Sequence, residues 1–382
     1  MTIVFFSTMT SFAWGGSEEL WAAAAREALA AGHRVAISVP RWRPQAPRLQ
    51  QLQEAGAVLV ERRRFRSNKL RRLVERLALH DWFLQRLRPA VLCISQGATY
   101  DFLMGPTRAT LDQLTAGRRI PYVVVCQYND EMLLTNSALR PRAATFLGSA
   151  TRVVFVAEHN RRLAERQLAI RLPNAALGQN PVNLRSTAAV PWPAAQSTAR
   201  FCCVARLETR HKAQDVLLEA LAAPPWSERA WELRCYGAGP DHEYLRQLAH
   251  MFGIADRVRF MGHVADVRAV WTDNEMLVLP SFGEGTPLAL IEAMLCGRPA
   301  VVTDVGGNAE WVSEGATGFV AAAVSADSLG AALERAWTAR EQWQEMGGQA
   351  RATALARYDS NPGKSLLRIL EDVSRPAAGA PR

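Results

Sequence analysis

Short apolar runs alternate with helix-like segments along most of this chain, and this alternation constrains the fold more than any other feature. A parallel strand buried on both faces reads as a continuous apolar run, and successive parallel strands need a crossover, usually a helix. The candidate strands lie at 3–7, 34–39, 57–60, 90–95, 122–126 and 152–156, and then at 201–205, 232–236, 258–261, 276–280, 300–303 and 318–320. The sequence therefore predicts an α/β protein with parallel, helix-covered sheets.

The alternation pauses between these two series of strands. Residues 186–198, Ser-Thr-Ala-Ala-Val-Pro-Trp-Pro-Ala-Ala-Gln-Ser-Thr, have the composition of a linker. With 382 residues the chain is long enough for two hydrophobic cores. We therefore predict a first Rossmann-like domain at 1–185, a linker at 186–198, a second Rossmann-like domain at 199–355 facing the first across a cleft, and a terminal segment at 356–382.

Residues 281–297 carry the most informative local pattern, a strand end followed by a Gly-rich turn and a helix. Thr286 suits the N-cap of that helix and Pro287 its first position. The unpaired N–H groups at a helix start attract anions. Glu284 in the turn and Glu292 in the second helical turn would flank such an anion site.

A pair of cations lies at another predicted strand-to-helix junction, in Val-Ala-Arg-Leu-Glu-Thr-Arg-His-Lys. Arg206 closes the first strand of the second series, and Lys212 lies near the start of the helix that follows. Two cations at such a junction can neutralise a diphosphate and the charge that develops on it. Taken alone, the pair favours an interpretation as solvated surface charges; the phosphate-binding role depends on its combination with Glu284 and Glu292.

Together these residues resemble a known family. Glu284, followed after seven residues by Glu292, with Arg206 and Lys212 six residues apart, is similar to the signature of retaining family-4 glycosyltransferases, part of glycosyl transferases group 1. The resemblance implies the GT-B fold, with the C-terminal helix packed back on the N-terminal domain. It also implies metal-independent transfer of a sugar from a nucleoside-diphosphate sugar to a hydroxyl acceptor, and the sequence contains no Asp-x-Asp triplet.

The resemblance also assigns roles to individual residues. Arg206 and Lys212 contact the donor phosphates, and Glu284 lies by the transferred sugar, so these three form the catalytic set. Glu292 accepts hydrogen bonds from the ribose hydroxyls, with a plain surface position on an amphipathic helix as its alternative. The full donor-binding set is Glu292, Gly285, Thr286, Leu288, Gly15, Gly16, Gly262 and His263.

The reasons for including the backbone donors and the glycines in this set differ. Leu288 is included because Pro287 has no N–H to offer. Gly15 and Gly16 follow the first strand, where the resemblance places them opposite the diphosphate, but turn geometry alone also explains them. Gly262 and His263 follow a strand end and are expected to hold the base through backbone contacts.

The chain departs from the family in one loop of the first domain. Family members often carry a His after the strand that corresponds to 122–126, whereas this loop reads Gln-Tyr-Asn-Asp-Glu. Gln127 or Asn129 can supply a hydrogen bond there but cannot share a proton at neutral pH. The resemblance implies front-face transfer in which the leaving phosphate helps to deprotonate the acceptor, so a His base is dispensable. Asn180 is a third acceptor-side candidate, with hinge capping as its alternative role.

The net charge of +9 favours an anionic partner. Residues Arg62–Arg76 hold eight cations, either on a solvated face or on a surface that docks on an anionic membrane or a phosphate-bearing acceptor. Nucleic acid is not an expected partner, because no recognised binding fold accompanies this segment.

Neither a metal ion nor another cofactor is expected. The six cysteines form no CxxC pair and the seven histidines are scattered, which favours buried free thiols. No run reaches about 18 apolar residues, and the start of the chain lacks the basic region of a secretion signal. The expected location is cytoplasmic, and the alternative is a cytoplasmic protein that contacts the inner face of the membrane peripherally.

The predicted function is therefore a retaining hexosyl-type glycosyltransferase. A UDP- or GDP-sugar is the expected donor, and a sugar, a lipid-linked molecule or a small molecule the acceptor. Two rivals stand beside it: a nucleotide-sugar epimerase on the same fold, and a non-catalytic basic protein that binds a membrane or a polysaccharide.

Overall fold

The computed structural model describes residues 1–62, 86–97, 100–103, 111–112, 114–115, 120–132 and 136–375. The chain divides into two compact units. The N-terminal unit comprises the described residues of Met1–Pro181 and Asp359–Arg382, and the C-terminal unit is Val182–Tyr358.

The described part of the N-terminal unit is built on a parallel sheet in the order β3-β2-β1-β4-β5-β6-β7. Its strands are β1 (Thr2–Ser7), β2 (Arg34–Pro40), β3 (Val58–Arg62), β4 (Val91–Gln96), β5 (Tyr122–Cys126), β6 (Arg152–Phe155) and β7 (Ala175–Leu177). Its helices are α1 (Gly16–Ala30), α2 (Pro47–Glu54), α3 (Arg140–Ser149), α4 (Glu158–Leu168) and α13 (Pro362–Ser374).

The C-terminal helix α13 completes the core of the N-terminal unit. Its leucines Leu366, Leu367 and Leu370 are buried together with residues of β1 and α1. Gly363 permits the close approach, because a methyl group there would lie 2.7 Å from the backbone of Ala23. The expectation that the C-terminal helix packs back on the N-terminal domain is confirmed.

The C-terminal unit has a parallel sheet in the order β10-β9-β8-β11-β12-β13. Its strands are β8 (Ala199–Val204), β9 (Trp231–Tyr236), β10 (Val258–Gly262), β11 (Met276–Leu279), β12 (Ala300–Thr303) and β13 (Gly318–Ala321). Its helices are α5 (Thr209–Lys212), α6 (Gln214–Ala222), α7 (His242–Met251), α8 (Val267–Asp273), α9 (Leu288–Leu295), α10 (Asn308–Trp311), α11 (Ala326–Thr338) and α12 (Trp343–Arg357).

Both sheets follow from the apolar runs of the sequence. The β11 segment Met-Leu-Val-Leu is fully buried, and apolar clusters cover the two faces of its sheet. The predicted α/β class with two parallel sheets is confirmed. The segment 186–198 lies within the C-terminal unit, where Val190 is buried in the core.

Two local predictions are wrong. The helix near Lys212 is split, because Ala213 adopts a left-handed conformation (φ +47°) between α5 and α6. Helix α9 begins at Leu288, with Pro287 rather than Thr286 at the N-cap and no side-chain cap. Pro287 has an extended ψ of 127°, so its backbone is not yet helical.

The basic segment Arg62–Arg76 lies outside the described residues except for Arg62. The guanidinium of Arg62 stacks over the Phe6 ring at 3.9 Å and donates to the carbonyl and hydroxyl oxygens of Ser38. Arg62 therefore belongs to the packing of the N-terminal unit. Across the described ranges, no helix combines the length and apolarity required to cross a bilayer.

Candidate functional site

The strand order of the C-terminal unit contains a topological switch point. Because all strands are parallel, the loops that follow them meet at one edge of the sheet. The order runs outward from β8 in both directions, so it reverses between β8 and β11. Open α/β sheets bind ligands in the crevice at such a switch point. Arg206 follows β8 and Glu284 follows β11, so these two residues flank it.

An ion pair connects the segments that follow β8 and β11. Nζ of Lys212 lies 2.5 Å from Oε1 of Glu284. The hydroxyl of Ser281 donates to the same oxygen at 2.7 Å, and the hydroxyl of Thr303 fixes Ser281 by donating to its carbonyl oxygen at 2.7 Å. The side chain of Glu284 is 8% exposed and that of Lys212 is 25% exposed. A ligand can therefore reach the ammonium more easily than the carboxylate.

The turn after β12 fixes the backbone around Glu284. The N–H of Gly307 donates to the carbonyl oxygen of Gly285 at 2.7 Å. Gly306 has φ +53°, and a methyl group there would lie 2.4 Å from the carbonyl oxygen of Glu284. Only glycine fits this contact, so the turn at 305–310 acts as a support for the Glu284 loop.

The loop after β9 supports the backbone around Arg206 in the same way. A methyl group at Gly237 would lie 2.0 Å from the carbonyl oxygen of Ala205, and one at Gly239 would lie 2.1 Å from that of Leu207. The loop after β9 therefore needs glycine at positions 237 and 239, because its backbone lies directly against the backbone of the loop after β8.

Asp241 holds the short helix that carries Lys212. Its Oδ2 accepts hydrogen bonds from the backbone N–H of Thr209 at 2.7 Å and from the Thr209 hydroxyl at 3.0 Å. The side chain of Arg206 is 41% exposed and lies 4.0 Å from Glu208. Sequence reasoning missed Asp241, whose only signal is its position after the Gly-Ala-Gly turn.

Glu292 is buried on α9, at 3% exposure. Its Oε1 accepts hydrogen bonds from the backbone N–H of Asn183 at 2.8 Å and from the Asn183 side-chain amide at 3.3 Å. Asn183 lies where the chain enters the C-terminal unit. The carboxylate that the resemblance assigns to the ribose thus also anchors this entering segment, a contact that sequence reasoning did not predict.

The remaining donor-side residues lie around the same edge. Gly285 and Thr286 are buried in the Glu284 loop, and Leu288 is the first residue of α9. Gly262 ends β10 with φ +69° and accepts a hydrogen bond from the N–H of Gly237 at 2.8 Å. His263 is exposed beside it.

Gly15 and Gly16 lie in the N-terminal unit, after β1. Gly16 begins α1. A methyl group at Gly15 would lie 2.3 Å from the Phe12 ring. The aromatic ring occupies the space beside Gly15, which accounts for this glycine by packing.

A buried carboxyl lies next to these glycines. Glu18 accepts hydrogen bonds from the hydroxyl of Ser7 and from the indole N–H of Trp21, both at 3.1 Å. Burial is the main reason that the pKa of Glu18 is raised to about 7, and the two hydrogen bonds act in the opposite direction. Glu18 connects the end of β1 to α1.

The three acceptor-side candidates are buried at the carboxyl edge of the N-terminal sheet. The Asn180 amide donates from Nδ2 to Oε1 of Gln127 at 2.8 Å. Asn129 accepts a hydrogen bond from the backbone N–H of Asp130 at 2.8 Å. The structure therefore brings Gln127 and Asn180 together, although 53 positions separate them in the sequence.

The cysteine thiols lie in the interiors of the two units. All six cysteines are buried and free. Burial raises the pKa of Cys296 to about 11 and that of Cys203 to about 12, which disfavours the reactive thiolate. Within the described ranges, no three His, Cys, Asp or Glu side chains are grouped as metal ligands.

The strand orders of the two units define the fold. Two parallel α/β units with these strand orders form the GT-B fold of glycosyltransferases, as two solved structures show. A glycosyltransferase from Rickettsia africae ESF-5 aligns with a TM-score of 0.76 at 12% identity, covering 98% of this chain and 99% of that one. Anabaena Alr3699/HepE in complex with UDP aligns with a TM-score of 0.72 at 16% identity, covering 97% and 100%.

The sequence comparison identifies the family of the C-terminal unit. Residues 198–339 match the family described as glycosyl transferases group 1, so this unit carries a domain of that family. One relative is the GDP-mannose-dependent alpha-(1-6)-phosphatidylinositol monomannoside mannosyltransferase of Mycobacterium tuberculosis, 30% identical over 213 residues, which are 50% of this chain and 55% of that protein. The chain spans 15% and 34% of two further relatives.

Proposed function

We propose that this chain is a retaining, metal-independent glycosyltransferase that moves a sugar from a nucleoside-diphosphate sugar to a hydroxyl of a sugar, lipid-linked or small-molecule acceptor. The observation that carries the proposal is the Lys212–Glu284 ion pair at the switch point, with Arg206 on the adjoining loop. A relative named for its dependence on GDP-mannose and a structural neighbour solved with UDP support a GDP- or UDP-sugar as the donor.

The donor diphosphate is stabilised by cations in this proposal. Arg206 and Lys212 form ion pairs with the phosphate oxygens. The Lys212 ammonium contacts the phosphate while it also keeps its ion pair with Glu284. Glu292 accepts hydrogen bonds from the ribose. Charge-assisted hydrogen bonds of this kind are about twice as strong as neutral ones.

Transfer breaks the bond between the anomeric carbon and the terminal phosphate oxygen. The bonding electrons go to that oxygen, where Arg206 and Lys212 stabilise the negative charge. The acceptor oxygen forms its new bond on the same face of the sugar, and its proton passes to the departing phosphate. Glu284, beside the sugar, accepts hydrogen bonds from its hydroxyls.

Thermal unfolding in the presence of UDP, GDP, ADP and their sugar conjugates tests the donor site. A ligand at a hundredfold excess over its Kd stabilises the folded state by about 2.7 kcal/mol. We expect a shift with one nucleotide that Lys212→Ala and Glu292→Ala both lose. A folded protein that responds to none of them contradicts the proposal and favours the non-catalytic rival.

Product analysis tests the chemistry. With the donor identified, NMR of the product is expected to show the anomeric configuration of the donor, and EDTA is expected to leave the rate unchanged. An inverted product contradicts retention. Epimerised donor without transfer supports the rival epimerase, and a rate that EDTA abolishes and a divalent ion restores contradicts metal independence.

A further inference from the structure

The carboxylate of Asp241 caps a helix other than its own. Asp241 lies at the N-cap of α7, where an Asp side chain ordinarily accepts a hydrogen bond from the first turn of the helix that it begins. Here the side chain makes no such bond to α7. Its Oδ2 accepts instead from the backbone N–H of Thr209 at 2.7 Å and from the Thr209 hydroxyl at 3.0 Å. Thr209 is the first residue of α5, so the carboxylate caps α5 from a neighbouring loop.

Helix α5 needs such a cap from outside. It comprises only Thr209–Lys212, and a helix this short is not stable by itself. Its own N-cap residue, Glu208, supplies no side-chain cap, because the Glu208 carboxylate lies beside the His211 ring, 3.4 Å from Nδ1. Ala213 then adopts a left-handed backbone (φ +47°), so α6 does not continue the helix through Lys212. The placement of α5 therefore depends on contacts with neighbouring loops.

Two neighbouring loops contact α5, one at each end. Asp241, in the loop after β9, bonds to its first residue. Near its other end, the carbonyl oxygen of His211 accepts a hydrogen bond at 2.9 Å from the N–H of Phe282, in the loop after β11. Lys212 itself pairs with Glu284 of that second loop. Asp241 therefore fixes the end of α5 that the Glu284 loop does not hold.

Asp241 is itself held by rigid elements. Its N–H donates to the carbonyl oxygen of Leu207 at 3.1 Å, and its carbonyl oxygen accepts from the N–H of Leu245 in α7 at 2.9 Å. The ring of His242, the first residue of α7, packs edge-on against Phe260 of β10, with the ring centroids 5.0 Å apart. A side chain supported by helices and strands places a neighbouring group more precisely than one supported by loops alone.

We infer that Asp241 is a positioning residue for donor binding: by capping α5, it places the Lys212 ammonium against the diphosphate of the donor, without touching the donor itself. The inference rests on the proposed contact between Lys212 and the donor phosphates. A lysine is a point charge on a flexible stem, so where its charge lies depends on where its backbone is held. Misplacement of such a group by about 1 Å costs up to about a hundredfold.

The test compares the wild-type protein with Asp241→Ala, Asp241→Asn, Lys212→Ala and the double variant Asp241→Ala/Lys212→Ala. Calorimetry measures the Kd of UMP and UDP, and of GMP and GDP. The quantity compared is the affinity that the second phosphate adds, which is the Kd of the monophosphate divided by that of the diphosphate. Ser325→Ala is the matched control, because Ser325 caps α11 of the same unit by accepting from the N–H of Ser328 at 3.2 Å.

Asp241→Ala is expected to lower that ratio by at least about tenfold. Asp241→Asn keeps an acceptor oxygen for both bonds and should keep the ratio. Ser325→Ala should keep it too, even where its Tm falls as far as that of Asp241→Ala. In a protein that already lacks Lys212, removal of Asp241 should change the ratio no further, because residues that act on one group are not additive. A general loss of stability would not produce this dependence on the lysine.

Thr209→Val is a second and milder variant, which removes the hydroxyl bond to Asp241 and keeps the backbone N–H bond. It should lower the same ratio in part, and it tests the inference if Asp241→Ala does not fold.

Two results overturn the inference and leave the proposed function standing. One is a ratio that the folded Asp241 and Thr209 variants leave unchanged, which means that Asp241 only caps a helix. The other is a loss that persists in full in the Lys212→Ala background, which means that Asp241 acts by another route. Wild-type protein that binds no nucleotide, or gains no affinity from the second phosphate, contradicts the proposed donor site itself.

Discussion

Lys212 and Glu284 form an ion pair in which the carboxylate is three times less exposed than the ammonium, 8% against 25%. Loss of the lysine leaves a buried carboxylate without its charged partner, although Ser281 still donates to it. Loss of the carboxylate leaves an ammonium that water can reach. We therefore expect Lys212→Met to lower the free energy of unfolding by roughly 1–3 kcal/mol, and Glu284→Gln by less than about 1 kcal/mol. Urea denaturation of both variants checks this.

The double variant Lys212→Met/Glu284→Gln is the control for that asymmetry. Once the carboxylate is neutral, removal of the lysine costs little, so the double variant should be about as stable as Glu284→Gln alone. Additive losses would mean that the two side chains stabilise the fold independently.

The same pair predicts opposite effects on binding and on transfer. Glu284→Gln removes the charge that competes for Lys212, so UDP or GDP should bind at least as tightly as to the wild type. Transfer should fall by at least a hundredfold, since Glu284 lies by the sugar in the proposed mechanism. Calorimetry and a transfer assay measure the two effects, and parallel losses of both would contradict the assignment of Glu284 to the sugar.

Gly306 predicts a local effect with a matched control. Gly306→Ala places a methyl group 2.4 Å from the carbonyl oxygen of Glu284 and must displace that loop. Gly315 has a similar positive φ (+71°) but nothing within 4 Å of the added methyl, so Gly315→Ala carries only the backbone strain, about 1–2 kcal/mol. We expect both variants to fold, and only Gly306→Ala to lose donor binding. Equal donor affinities would show that the Gly306 contact does not position Glu284.

The fold was predictable where the sequence pattern is continuous. The apolar runs at 122–126 and 300–303 match β5 and β12, because parallel strands that are buried on both faces are mostly apolar. Strand β7 was missed because it has only three residues and they are half-exposed or exposed at a sheet edge. The break at Ala213 was missed because alanine carries no signal for a left-handed backbone.

Only part of the candidate site could be predicted from the sequence. The sequence shows directly that Glu284 and Glu292 are eight positions apart and that Arg206 and Lys212 are six positions apart. The bond from Asn183 to Glu292 spans 109 positions and that from Thr209 to Asp241 spans 32. Such contacts depend on how loops from different strands meet, which no local pattern encodes.

Arg298 anchors the segment 182–198 and predicts a large loss of stability. It is 1% exposed and donates to the carbonyl oxygens of Asn274 at 2.9 Å, Cys296 at 2.8 Å and Pro191 at 2.6 Å. Burial lowers its pKa to about 10. Arg298→Met leaves these carbonyl groups without a donor and should cost roughly 3 kcal/mol or more.

Arg340→Met is the control for Arg298. Arg340 also donates to the 182–198 segment, through the carbonyl oxygen of Ser197 at 2.9 Å, but on the exposed surface. We expect it to cost less than about 1 kcal/mol. Urea denaturation measures both, and similar losses would contradict the role of the buried guanidinium.

Glu18 predicts a dependence of stability on pH. Its pKa in the folded state is about 7, against an ordinary value of 4.5, mainly because the carboxyl is buried. Between these two values the folded state keeps a proton that the unfolded state releases, so this group makes stability fall as pH rises from about 4.5 to 7. The shift corresponds to at most about 3 kcal/mol.

Glu18→Gln keeps the shape of the side chain but cannot titrate. Its amide oxygen can accept from Trp21 while its NH₂ donates to Ser7. Urea denaturation of both proteins at steps from pH 4.5 to 8 should therefore show the variant gaining on the wild type as pH rises, whereas parallel curves would place the pKa of Glu18 near its ordinary value.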